Sequence, residues 1–207
     1  MTTTTTTTTQ PRMRVRRYRS GLYMGIGGGA GVPTGGIRDG YNTGYTVAVP
    51  IGWQPAESPL GFRVDLGYTH LDARSTFRNT GGPIGGPTGI GALALEDPQL
   101  YSALANLKLR LVHGWLGRSS SIYAVAGGGV TYFRHYNTTF ARTNPEFNST
   151  TTTTTSESLT RGALDAGGGV AWGWHAAEVF LESRYVTAFM PNERASYVPI
   201  ILGVNFY

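Results

Sequence analysis

The chain reads as an all-β protein: an eight-stranded antiparallel up-and-down transmembrane barrel. Three observations give that reading. Eight short stretches between Gly21 and Tyr207 alternate bulky apolar residues with small or polar ones, the period of two that marks a strand. Short and long connections alternate between them, so compact turns fall at one end and large loops at the other. The bulky residues share one face while glycine and charge share the other. A barrel built that way is apolar outside and polar inside, which suits lipid rather than water.

Composition narrows the classes. Charged residues make up 14% of the 207, against roughly 25% in a typical soluble domain. No run approaches the ~18 apolar residues of a membrane helix, but a membrane strand needs only ~9–11 residues. The absence of cysteine excludes disulfides, thiolate metal sites and a cysteine nucleophile. The net charge of +5 has a local source: Arg12, Arg14, Arg16, Arg17 and Arg19 lie in a stretch with no acidic residue. Without these five, 12 basic residues face 12 acidic ones. The body is neutral, which argues against a nucleic-acid partner.

Residues 1–20 separate from residues 21–207, the barrel. Thr2–Thr9 is a homopolymer, a composition expected to be disordered. The basic stretch after it resembles the charged start of an export signal, but Gly21–Val32 is too rich in glycine for the apolar part. The export signal that the fold calls for is not visible in this chain.

The strands follow in order. In the first, Gly21–Val32, Leu22, Met24 and Ile26 share a face opposite Tyr23, Gly25 and Gly27; the glycines leave interior room for large side chains from other strands. The second, about Tyr41–Trp53, turns Tyr45, Val47, Val49, Ile51 and Trp53 outward, with Pro50 marking a candidate bulge. A short link, Gln54–Pro59, leads to the third, Leu60–Arg74, where Phe62, Val64, Leu66 and Tyr68 oppose Arg63, Asp65 and Thr69. A long loop, 75–98, precedes the fourth, Gln99–Leu111, whose leucines oppose Ser102, Asn106, Lys108 and Arg110. The fifth, Ile122–Arg134, and sixth, Arg161–Trp172, share a triple-glycine pattern and flank the longest loop, 135–160. The seventh, Glu178–Phe189, carries Glu182 and Arg184 inward. The eighth is Ser196–Tyr207.

Direction gives a further check. With the tail on the turn side, Trp53, Trp115, Trp172 and Trp174 all fall at the turn end, while Tyr41, Tyr101 and Tyr132 gather near the loops. Aromatic belts at both interfaces mark a membrane barrel. A soluble ligand-binding barrel of the lipocalin kind would need the reverse polarity, with apolar residues inside.

Leu181-Glu182-Ser183-Arg184-Tyr185 and Val198–Phe206 resemble the last two strands of the small eight-stranded outer-membrane β-barrel family of Gram-negative envelopes. The aromatic finish, Phe206 and Tyr207, is similar to the C-terminal signal that the barrel-assembly machinery reads, with one residue added after Phe206. The resemblance implies an outer-membrane location, contact with outer-membrane lipid and lipopolysaccharide, and both termini on the periplasmic side. The family includes enzymes, adhesins, pores and structural barrels, so fold alone does not assign function.

The inward charges are Arg63, Asp65, Lys108, Arg110, Asp165, Glu182 and Arg184, four positive and three negative, with Asn106 among them. Lone buried charges are costly, so mixed signs imply pairing. The expected result is a hydrogen-bonded polar plug, the alternative a narrow solute or ion pathway. No catalytic constellation emerges. His70 has Asp72 and Ser75 nearby, yet nothing matches the His-x-Ser-Asn signature of lipid A deacylases, and a lipid-modifying enzyme is the weaker alternative. The four histidines, His70, His113, His135 and His175, show no metal-ligand spacing. No cofactor is implied, since Gly25–Gly29 lacks the lysine and helix of a phosphate loop. The expected role is structural or surface interaction, with loops 75–98 and 135–160 as candidate ligand contacts.

Overall fold

The computed structural model describes residues 21–55, 58–74, 90–95, 97–113, 119–144, 149–174, 177–190 and 194–207. Among the described residues nine strands form: β1 (Gly21–Gly35), β2 (Tyr41–Gln54), β3 (Leu60–Ala73), β4 (Ile90–Leu95), β5 (Gln99–His113), β6 (Ser120–Asn144), β7 (Ser149–Trp174), β8 (Ala177–Phe189) and β9 (Arg194–Phe206). Eight close into an antiparallel ring, running β1-β2-β3-β5-β6-β7-β8-β9 and back to β1. The expected eight-stranded barrel is therefore present, with β4 outside the ring.

The long loops depart from expectation. Residues 135–160 are not simply a loop: β6 and β7 continue as one hairpin, paired from Tyr136↔Glu157 out to Asn144↔Ser149. β5 stops pairing at Gln99↔Arg134, so ten further residues of β6 run past it, roughly 33 Å at strand rise. Within the expected loop 75–98, β4 pairs with this extension, from Ile90↔Thr143 to Leu95↔Thr138. The physical reason lies in threonine, a β-branched residue suited to a strand. Read only as low complexity, its runs conceal that preference. The other two connections at this end are short: a 3-10 turn, Gly36–Asp39, joins β1 to β2, and residues 190–193 separate β8 from β9.

Pro50 carries no bulge. Met24↔Ile51 and Gly27↔Ala48 lie in one continuous register, and only the pairs between them drop out of the ladder. On the other side Pro50↔Asp65 keeps step. The irregularity sits instead between Asn42 and Tyr45. It reverses which residues face inward, so Tyr41 is buried in the interior rather than in an outer aromatic belt.

The two faces of the wall are sharply different. Leu22 is 71% exposed, Leu107 61% and Leu202 59%, and outward positions on all eight staves carry residues of this kind. Inside, two buried apolar clusters interleave with the charges: Leu104 lies opposite Asp65, and Val125 opposite Lys108, on neighbouring strands. Toward the loops, Leu71, Leu100, Leu104, Phe133, Val186 and Tyr197 belong to one buried apolar cluster. The interior is thus not polar throughout. A second cluster, with Tyr123, Val125, Phe180 and Ile201, lies among the charges below.

Glycines make room for this filling. A Cβ on Gly52 would lie 2.5 Å from the Tyr23 ring, one on Gly203 2.4 Å from Phe180, and one on Gly169 2.7 Å from the Tyr123 hydroxyl. Tyr23, Tyr123 and Phe180 are all buried. An eight-stranded ring is just wide enough for side chains to fill it, and each of these aromatics lies over a neighbouring-strand partner that carries only hydrogen.

Candidate functional site

The buried charges assemble into two clusters. In the first, β3 contributes Arg63 and Asp65, β5 Asn106, β6 Tyr123, β7 Asp165, and β8 Glu182 and Arg184. Alternation along each strand turns these side chains inward, and register sets their level: Arg63 pairs with Asn106 across β3 and β5, and Asp165 with Val186 across β7 and β8.

Glu182 is the hub. Arg63 donates from Nη1 and Nη2 to its two oxygens, both at 2.8 Å. Tyr123 donates its hydroxyl to Oε2 at 2.8 Å. Arg184 Nε lies 2.8 Å from Oε1. Asp65 is the second acceptor: its Oδ2 receives Arg63 Nε at 2.9 Å, Asn106 Nδ2 at 2.8 Å and Arg184 Nη1 at 3.1 Å. Arg184 Nη1 also reaches Asp165 Oδ2 at 3.0 Å. Charge-assisted and bidentate bonds of this kind are the strong ones, and they offset the desolvation of burying ions.

The second cluster lies nearer the turns. Lys108 Nζ stands 3.7 Å from Glu178 Oε1 and 4.2 Å from the Tyr123 ring centroid. Glu178 also accepts from Asn205 Nδ2 at 3.3 Å and from the Tyr207 hydroxyl at 3.2 Å. Arg110 is buried on the same face of β5 as Lys108.

All eight residues expected in an interior network are thus buried. Arg63, Asp65, Asn106, Asp165, Glu182 and Arg184 meet directly, while Lys108 joins a separate pair. Sequence reading missed Glu178 and Tyr123. Glu178 has the same strand parity as Glu182, which is the signal that could have found it. With Glu178 included, the buried charged residues among those described number four basic (Arg63, Lys108, Arg110, Arg184) and four acidic (Asp65, Asp165, Glu178, Glu182).

The arrangement leaves little space. A cavity of about 20 Å³ lies between the charges and the apolar cluster, lined in part by Asp65, Thr69, Ser102 and Tyr197. That is room for about one water.

At the turn end Trp53 is 55% exposed and pairs with Leu22 and Phe62. Trp172 is half-buried, and Trp174 ends β7 opposite Ala177. Trp115 lies outside the described residues. Tyr45, Tyr68, Tyr101 and Tyr132 form a continuous row across β2, β3, β5 and β6, with ring centroids 5.9, 5.1 and 6.3 Å apart. Phe206 faces outward, whereas Tyr207 turns back over the Tyr23 ring at 5.3 Å. His70 and Asp72 lie side by side, Nε2 to Oδ1 3.5 Å. Ser75, His175 and the tail 1–20 are outside the described residues.

No protein-family profile and no curated sequence matches the chain. Among solved structures it is similar to Ail, the attachment invasion locus protein of Yersinia pestis (16% identity over 91% of this chain and 99% of that one, TM-score 0.47). It is also similar to Neisserial surface protein A (13%, 90% and 97%, TM-score 0.48) and to a major outer membrane protein of Thermus thermophilus (15%, 91% and 99%, TM-score 0.49). The architecture itself, a closed eight-stranded antiparallel barrel, rests on the strand pairings given above.

Proposed function

We propose that this chain is an integral outer-membrane β-barrel without catalytic activity, serving envelope structure or surface interaction through its loops. The observation that carries the reading is the reversed polarity. Apolar residues face outward on all eight staves, while four acids and four bases are buried within. Soluble monomers rarely expose contiguous apolar surface beyond a few hundred Å², and a lipid bath removes that cost.

Outer-membrane lipid and lipopolysaccharide would cover the wall, and the barrel-assembly machinery would read the outward Phe206. The sheet of β4, β6 and β7 extends past the ring and supports a surface role for segments 75–98 and 135–160. The bonded charges and the apolar clusters packed among them support a plug rather than a pore.

The test is electrophoretic mobility in SDS with and without boiling, after refolding into detergent. The expected result is resistance to SDS until heating, then a shift in apparent size. A monomer soluble without detergent would overturn the membrane reading. In planar bilayers the folded protein should give no large, stable conductance. A conductance whose selectivity changes when Arg63 or Lys108 is neutralised would favour the narrow pore, and lipid A altered in a His70-dependent way would favour the enzyme.

A further inference from the structure

We propose that Tyr207 is a hinged cover over the turn-end mouth of the barrel, and that its swing admits water and small solutes to Lys108. Strand parity turns Phe206 outward and Tyr207 inward. β9 pairs with β1 as far as Met24↔Phe206 and with β8 as far as Ala177↔Phe206. Tyr207 therefore lies just beyond the ladder, and contacts of its own hold it in place. Its ring leans over the Tyr23 ring, with centroids 5.3 Å apart. Its hydroxyl donates to Glu178 Oε1 at 3.2 Å.

The second charge cluster lies directly beneath this cover. The same Glu178 oxygen accepts from Asn205 Nδ2 at 3.3 Å and faces Lys108 Nζ at 3.7 Å. The Lys108 ammonium stands 4.2 Å from the Tyr123 ring centroid and 5.4 Å from that of Tyr23. The Tyr23 ring thus touches both the cover and the cation. Lys108, Glu178, Asn205 and Tyr23 are at most 4% exposed, whereas Tyr207 is half-buried. The Tyr23 hydroxyl, Gln54 Oε1 and Asn205 Oδ1 are buried at this end without a hydrogen-bond partner. Groups of that kind favour a polar guest.

Position in the ladder singles out Tyr207 as the part that moves. Gln54 and Arg110 also stand at this end, but their backbones are fixed in strands, opposite Gly21 and Tyr123. Tyr207 can turn outward without breaking a ladder bond. Toward the loops the way to Lys108 is filled, first by Arg63 bonded across the ring to Glu182 and then by Leu71, Leu100 and Phe133. Access is therefore one-sided, from the turns. Local openings of this kind occur within the folded state and need less free energy than global unfolding. The inference rests on the strand pairing and holds whether or not the outer wall faces lipid.

Lys108 is the sole lysine of the chain, so a water-soluble acetylating ester marks no other side-chain amine. The full chain, refolded into detergent, is treated with the ester, and peptide mass spectrometry follows acetylation at Lys108. Acetylation should be slow in the unaltered chain and faster in Tyr207→Phe, which loses the hydroxyl bond. It should be roughly tenfold faster in Tyr207→Ala, which loses the cover itself. Leu100→Ala loosens the barrel at the other end and should leave the rate within about twofold. An SDS heat shift certifies each variant as folded. An unchanged rate in Tyr207→Ala overturns the proposal. So does an equal acceleration in Leu100→Ala, which marks general loosening instead of a cover. Neither result bears on the membrane reading, which the heat shift tests separately.

Discussion

Arg63 on β3 and Glu182 on β8 join across the whole width of the barrel, through two 2.8 Å bonds between residues 119 apart in sequence. β3 and β8 are four strands apart in either direction round the ring. The pair is therefore a strut between opposite walls. Arg184 reaching Asp65 at 3.1 Å makes a second one in parallel.

Removing the hub should be severe. Glu182→Ala leaves two guanidinium groups and the Tyr123 hydroxyl without their shared acceptor. Breaking one member of a buried pair costs about 3–5 kcal/mol, and that loss is expected in equilibrium urea unfolding from lipid vesicles. Thr187→Ala, which loses the hydroxyl contact to Ser196, should cost about 1 kcal/mol.

Lys108 and Glu178 should be coupled. Each single change, Lys108→Met or Glu178→Leu, strands a buried charge. The double variant is expected to be more stable than the sum of the single losses by at least about 1 kcal/mol, since a whole buried pair exchanges for apolar residues at little cost. Additive losses would show that the 3.7 Å contact contributes nothing.

Gly52 and Tyr23 should be mutually dependent. Gly52→Ala puts a methyl into the Tyr23 ring, and overpacking of this kind costs about 1–3 kcal/mol. In the background Tyr23→Leu the same alanine should be tolerated. Melting of the SDS-resistant form gives the comparison.

The outer wall offers the sharpest separation of lipid from water. Leu107 sits near the middle of β5 and is 61% exposed. Leu107→Arg should cost about 2–4 kcal/mol if that position faces the bilayer midplane. On a water-facing surface the same change would fall within about 0.5 kcal/mol.

Much of this was legible in sequence because a strand's period of two carries over directly into inside and outside. Arg63, Asp65, Lys108 and Glu182 announce their direction by their neighbours. Parity fails where the backbone slips. The irregularity after Asn42 turns Tyr41 inward, and the one after Arg110 leaves both Leu111 and Val112 exposed. Partner choice is not written in parity at all. That Arg63 meets Glu182 depends on ring closure, and that Asp97 accepts the Ala73 amide depends on how the chain returns alongside β3. The extension of β6 and β7 escaped notice because threonine repeats satisfy two descriptions, low complexity and strand.

The four-to-four balance of buried charge has an electrical consequence. A transmembrane voltage does work of about 2.3 kcal/mol per elementary charge per 100 mV. A network whose formal charges sum to zero moves through that field with no net work. In the membrane reading proposed above, voltage therefore exerts no net pull on these eight described charges taken together.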